Sequence, residues 1–220
     1  MQVFLVSLVI VLIDQVTKIL IKGIYLPYLG ISIEGMQLYD STQVFGDFFR
    51  ITFIENPGMA FGINFGESSK FYLTLFSLIA SILIIVYLIK KPEEKFIVRF
   101  ALAMILGGAI GNLIDRMFYG VIYNEAPLFY GKVVDFLDFD FFDISFLGYK
   151  LERFPIFNIA DSCVTIGVFL LLFFSGSKPK QALNNQEVKE TQEIFSEEYN
   201  SKPIQQEKEP DVIANDPPEL

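Results

Sequence analysis

The chain has 220 residues, of which 52% are hydrophobic, and its mean hydropathy is +0.45, values that point to lipid rather than water as solvent. It has no histidine and a single cysteine, Cys163. That excludes Ser-His-Asp and Cys-His catalysis, histidine-based zinc sites and an internal disulfide. The net charge is −9, and beyond Gly176 ten acids face five lysines, so much of the acidity belongs to the tail and argues against nucleic-acid binding.

Four apolar runs, about 2–24, 71–89, 96–114 and 157–174, are long enough to be read as membrane-spanning helices. The first lacks a basic leader and a small-residue cleavage site, and it holds Asp14 and Lys18 within the apolar stretch, so it reads as a retained span. Between the first two runs, Val44–Glu55 alternates aromatic and β-branched residues with polar ones and is bounded by Gly46 and Asn56-Pro57-Gly58. A strand or hairpin on the membrane surface is expected there. Lys90, Lys91, Lys95 and Arg99 surround the short link between the second and third runs, and Lys178 and Lys180 follow the fourth. The excess of basic residues places that link and both termini in the cytoplasm. The segments 25–70 and 115–155 then lie outside, with the Phe/Asp-rich stretch Phe136–Phe146 suited to an interfacial position. The predicted fold is an all-α membrane protein with four transmembrane helices, a small extracytoplasmic β-element and an interfacial external segment. Residues 1–176 form its membrane domain, and 177–220 a disordered acidic cytoplasmic tail.

Polar side chains in a span cost a few kcal/mol each and are functional candidates by default. Asp14 and Lys18 are four apart on the first run, within reach of an ion pair. The third run ends in Gly107-Gly108-Ala109-Ile110-Gly111-Asn112-Leu113-Ile114-Asp115-Arg116, where glycines permit close helix approach and Asn112 and Arg116 share a face. The fourth begins Phe157-Asn158-Ile159-Ala160-Asp161, with Asn158 and Asp161 three apart. An outward-facing polar pocket is expected where the third and fourth runs meet the surface. A second carboxylate beside Asp161 would let the two share a proton and activate a water, and Val133-Val134-Asp135-Phe136 supplies a candidate.

Five stretches together resemble the lipoprotein signal peptidase (signal peptidase II) family. They are Asp14-Gln15-Val16-Thr17-Lys18, Asn56-Pro57-Gly58-Met59-Ala60-Phe61-Gly62, Gly107 to Arg116, Val133-Val134-Asp135-Phe136 and Phe157-Asn158-Ile159-Ala160-Asp161. The resemblance implies an aspartic endopeptidase of the bacterial inner membrane, with its active site near the outer face. Asp135 and Asp161 would be its catalytic pair. Asn112, Arg116 and Asn158 would hold the aspartates and the substrate backbone, Asn56 would contact substrate, and Gly108, Asp14, Lys18 and Asp115 would support the site. The substrate would be a prolipoprotein with a diacylglyceryl-cysteine, cut on the amino side of that cysteine. No metal or cofactor is expected, and the partners are substrate and membrane lipids, with the chain a monomer.

The chain departs from the family pattern in a longer segment around Ile33–Gln43 and an insertion at Tyr123–Tyr130. The insertion leaves Asp138, Asp140 and Asp143 as alternatives to Asp135. Plainer readings also stand beside the functional ones. Asp14–Lys18 reads as structural, Asp115 as a helix-end or arginine partner, Asn56-Pro57-Gly58 as a turn, Arg116 as a snorkelling side chain and Cys163 as helix packing. From another class, a small transporter or proton relay could use Asp14, Asp115 and Asp161. A relay would spread ionisable groups through the membrane depth, whereas Val168–Phe174 is purely apolar.

Overall fold

Apolar sequence free of internal proline builds the long helices, and glycines end or crowd them. In the computed structural model, which describes residues 2–58, 67–140, 144–146, 149–151 and 153–174, helix α1 runs Gln2–Lys22, α2 Glu67–Lys90 and α3 Phe96–Ile114. Three stretches, Gln2–Lys22, Lys70–Lys90 and Phe96–Ile122, are long and apolar enough to cross a membrane. The last of these carries α3 onward through a π-helical turn, Asp115–Tyr119, and a short helix α4, Gly120–Ile122. The fourth apolar run forms α5, Ile159–Phe174, which has 16 described residues and is shorter than the other three. Its first two expected residues are not helical, because Phe157 forms a β-bridge with Leu137.

The first run stops at Lys22 rather than continuing to Ile24. Gly23 takes a left-handed φ of +75°, a conformation that favours glycine, and the chain turns there. Strands β1 (Ile24–Leu26) and β2 (Ile31–Ile33) then form a small antiparallel sheet of their own. The expected surface β-element is a hairpin of β3 (Ser41–Phe45) and β4 (Phe49–Asn56), and β4 also pairs with β5 (Val133–Phe139). Much of the stretch expected as an interfacial segment is therefore a sheet strand. Its alternation was masked because β5 is buried from Val133 through Phe136, so both faces are apolar apart from Asp135. A further two-stranded sheet pairs β6 (Ile144–Phe146) with β7 (Tyr149–Leu151). Met59-Ala60-Phe61-Gly62, Asp143 and the 177–220 tail lie outside the described residues.

Helix α3 lies between α1 and α5 because its glycines let both neighbours come close. A Cβ on Gly108 would collide with the Ala160 carbonyl, and one on Gly107 would stand 2.8 Å from the Cβ of Ile10. The Phe157 amide donates to the Leu137 carbonyl at 3.2 Å and the Leu137 amide donates back at 2.8 Å. This pairing pins the start of α5 against β5. It is the contact that brings the two halves of the site together.

Candidate active site

Asn158 precedes the first turn of α5 and caps it. The Asp161 amide donates to Asn158 Oδ1 at 2.9 Å, while Asp161 Oδ2 accepts from the Asn158 amide at 3.3 Å. This reciprocal arrangement is that of a capping box, with aspartate in the place usually held by glutamate. It holds the Asp161 carboxylate at the helix N-terminus, where the backbone dipole favours negative charge. The other end of the Asn158 amide faces β5, since Nδ2 donates to Asp135 Oδ1 at 2.6 Å and also meets the Val134 carbonyl at 3.3 Å. One asparagine therefore touches both carboxyl groups.

A second asparagine reinforces the first. Asn112 Nδ2 donates to Asp161 Oδ1 at 2.7 Å, and its Oδ1 accepts from Asn158 Nδ2 at 3.1 Å and Lys18 Nζ at 2.9 Å. The ammonium of Lys18 can only donate, so it compels the oxygen of Asn112 to face it and turns the NH2 toward Asp161. Lys18 has three N–H groups, and the other two meet Asp14 and Asp115, each at 2.8 Å; all three side chains are fully buried. Asp14 also accepts the Ala160 amide of α5 at 3.0 Å, and Asp115 accepts the Val134 amide of β5 at 3.3 Å. The cluster beneath the two aspartates thus ties α1, the π-turn, α5 and β5 to one lysine.

Asp135 is 1% exposed. Burial, and next the charge of Asp161, push its carboxyl up to about 7. Its second oxygen accepts from Asn56 Nδ2 at 3.2 Å, and Asn56 Oδ1 takes the Gly58 amide at 2.9 Å, closing a turn. Asp135, Asp161 and Asn56 line one cavity of about 570 Å³, whose remaining wall includes Phe154, Phe157 and Ile166. It combines a carboxylate pair with an apolar wall.

Comparison with known proteins gives the same direction. The family model described as signal peptidase (SPase) II matches residues 6–176. The chain belongs to the signal peptidase II family. A lipoprotein signal peptidase of Porphyromonas gingivalis is 35% identical over 189 residues, covering 74% of this chain and 77% of that protein. One from Borrelia hermsii is 40% identical over 171 residues, covering 76% and 84%. A bacterial membrane enzyme solved by the in meso method superposes with a TM-score of 0.57 at 31% identity, covering 81% of this chain and 94% of that one.

Within this signal peptidase II chain, the residues singled out from sequence sort into three groups. Asp135, Asp161, Asn56, Asn112 and Asn158 meet directly, as described. Asp14, Lys18 and Asp115 form the buried ion cluster below them, and Asp115 has Lys18 for its cation rather than an arginine. Gly108 acts through packing alone, and Arg116 lies within electrostatic reach of Asp161, Asp115 and Asp135, with a buried Nε that has no hydrogen-bond partner among the described residues. Two of the alternatives to Asp135 are engaged elsewhere. Asp138 accepts from Arg153 at 2.9 Å and Thr52 at 2.6 Å, and Asp140 pairs with Arg153 at 3.3 Å.

Sequence reasoning missed Gln15, which lies inside a quoted motif. Its Nε2 donates to Asp115 at 2.9 Å and to Asp14 at 3.2 Å, and its Oε1 accepts from Tyr119 at 3.1 Å. The signal was an amide one position after an aspartate inside an apolar run, a polar group that is itself costly to bury without partners. The cation partner of Glu55 was also missed. Lys22 and Lys132 hold Glu55 at 2.5 and 2.6 Å, and Lys22 also reaches Glu125 at 2.8 Å in the Tyr123–Tyr130 insertion. No local spacing links these four positions.

Proposed function

We propose that the protein removes the signal peptide from diacylglyceryl-modified prolipoproteins, hydrolysing the peptide bond on the amino side of the lipidated cysteine, with Asp135 and Asp161 as its catalytic pair. Its activity is that of a lipoprotein signal peptidase, as in its relatives. The observation that carries the residue assignment is the shared donor: Asn158 bonds both carboxyl groups at the rim of one cavity. Two like charges so linked favour holding one proton between them.

In the proposed reaction the ionised aspartate takes a proton from a water as its oxygen attacks the scissile carbonyl carbon. The protonated aspartate gives its proton to the carbonyl oxygen, forming a neutral gem-diol. The first aspartate then returns the proton it gained to the departing cysteine nitrogen as the C–N bond breaks. The second recovers a proton from the diol as the carboxylic acid forms. No covalent enzyme intermediate arises, and the pair ends with the single proton it began with. Arg116, whose Nε has no hydrogen-bond partner among the described residues, is suited to hold a substrate carbonyl, and the Asn56 amide to contact the substrate backbone.

The membrane placement follows the same reading. Four helices cross the bacterial inner membrane, with both termini and the 177–220 tail in the cytoplasm, and the chain works as a monomer. Asp161 lies in the first turn of α5, and on this reading that turn lies beneath the outer headgroups, at the depth where a diacylglyceryl anchor would hold the scissile bond.

The test is product identity. Purified full-length protein is incubated with a prolipoprotein carrying or lacking the diacylglyceryl group, with and without a chelator, and the products are weighed by mass spectrometry. The expected result is one cut, directly before the modified cysteine, unaffected by the chelator and absent without the lipid. A metal requirement, or a cut elsewhere, contradicts the mechanism.

A further inference from the structure

The hairpin β1–β2 has no function in the site. Among the described residues it contributes nothing to the cavity lining, which comes from β4, β5, α5 and residues 154–157, and its two strands pair only with each other. Residues 23–33 contain no charged side chain. Tyr25 is 72% exposed, Leu29 71% and Tyr28 fully so, with Ile31 and Ile33 also exposed. An isolated two-stranded hairpin with apolar side chains bared to water is marginal. Something covers it.

The base of the hairpin is locked to the end of α1. A Cβ on Gly23 would stand 2.6 Å from the Gly35 nitrogen, and one on Gly35 would collide with the backbone of Lys22. The Met36 amide donates to the Ile21 carbonyl at 2.7 Å. The hairpin therefore cannot drift far from that helix end, and strands of three residues extend only about 10 Å. Along α1 the exposed side chains Leu5, Leu8, Leu12, Val16 and Leu20 recur at helical spacing, a stripe facing lipid. Exposed apolar side chains resume at Tyr25, three residues past the end of α1, so the hairpin follows the lipid-facing stripe directly along the chain.

We propose that β1–β2 is an interfacial anchor whose tyrosines and aliphatic side chains sit in the outer leaflet at headgroup depth. Tyrosine suits that depth, with an apolar ring and a hydroxyl that stays wet. Deeper insertion is barred, because the outer edges of a two-stranded sheet leave backbone groups that hydrocarbon cannot satisfy. The anchor fixes the outer end of α1 in the plane of the headgroups, close to Lys22 and the sheet that carries Asn56.

The absence of tryptophan from the chain makes a clean test. Tyr28→Trp is made in the full-length protein and reconstituted in vesicles of phosphatidylethanolamine and phosphatidylglycerol. Part of the lipid is brominated near the carbonyl end of its acyl chains, and Leu12→Trp on the α1 stripe serves as the lipid-exposed reference. The expected result is a blue-shifted emission that loses most of its intensity in brominated vesicles and little to aqueous iodide. Quenching by iodide alone would put residue 28 in water, and protection from both quenchers would mean a protein partner covers it. Either outcome overturns the proposal. Leu29→Trp provides the same reading if Tyr28→Trp fails to fold.

Discussion

Lys18 and Lys22 stand one helical turn apart on α1, and each bridges two carboxylates, yet they do different work. Lys18 is fully buried with Asp14 and Asp115, and its third N–H fixes the orientation of Asn112 toward Asp161. Lys22 lies nearer the surface, between Glu55 and the more exposed Glu125, with its ammonium 4.0 Å from the centre of the Tyr123 ring. Glu55 has a second cation in Lys132. Among the described residues the deep carboxylates have one paired cation, Lys18, whereas Glu55 has two. Two ion clusters on one helix thus separate into a part that the proposed active site depends on and a clamp that holds the strand before Asn56.

Removing the ammonium from each cluster sharpens that contrast most. Lys18→Met leaves two carboxylates buried without a cation, and stability is expected to fall by about 3–5 kcal/mol, with cleavage lost. Thermal unfolding in detergent together with a cleavage assay measures both. Asn112→Leu keeps the shape of the side chain but cuts the link from Lys18 to Asp161. Its expected signature is a folded protein with kcat lowered on the order of a hundredfold and KM little changed. A normal kcat would detach the deep cluster from the chemistry.

The two regions also differ in the sign of their pH dependence. Asp135 is raised to about 7 by burial and by Asp161, so the folded state binds its proton more tightly than the unfolded chain does. Its contribution is fully present in acid and is lost as pH rises from the ordinary carboxylate range through about 7. Cleavage should decline over the upper part of that window as Asp135 gives up its proton. Glu55 behaves oppositely: burial pushes it up, but its bonds to Lys132 and Lys22 prevail and hold it below its ordinary value. Its stabilisation is present above the ordinary carboxylate range and is lost as pH falls through that lowered value. Asp135→Asn and Glu55→Gln should each flatten their own limb of a plot of melting temperature against pH.

The smallest effect belongs to the outer lysine. Lys22→Met leaves Glu55 with Lys132, and a loss of about 1–2 kcal/mol is expected, shrinking as salt is added. A loss as large as that of Lys18→Met would erase the distinction between the two clusters.

The sequence made the deep cluster more legible than the outer one, for physical reasons. A charge in an apolar run stands out against its surroundings, so Asp14, Lys18, Asn112, Asp115, Asn158 and Asp161 could be found residue by residue. The capping role of Asn158 was implicit in its spacing of three from Asp161. Glu55, Lys132 and Glu125 sit among ordinary polar residues, where charge carries no such signal; the β4–β5 register brings Lys132 to Glu55, and Glu125 reaches Lys22 from the turn after α4. Strand β5 was hidden because burial on both faces removes the alternation by which strands are recognised. The hairpin β1–β2 was hidden by the apolar run before it, which reads as helix until Gly23 turns the chain.

Replacing individual aspartates with asparagine tests the proposed catalytic pair most directly, because the change keeps shape and removes only the ionisable proton. In vesicles containing the lipid-modified prolipoprotein, Asp135→Asn and Asp161→Asn are each expected to give folded protein with no cleavage, while Asp138→Asn, whose carboxylate is taken up by Arg153 and Thr52, continues to cut. Cleavage surviving in Asp135→Asn, with loss in Asp138→Asn instead, would contradict the account.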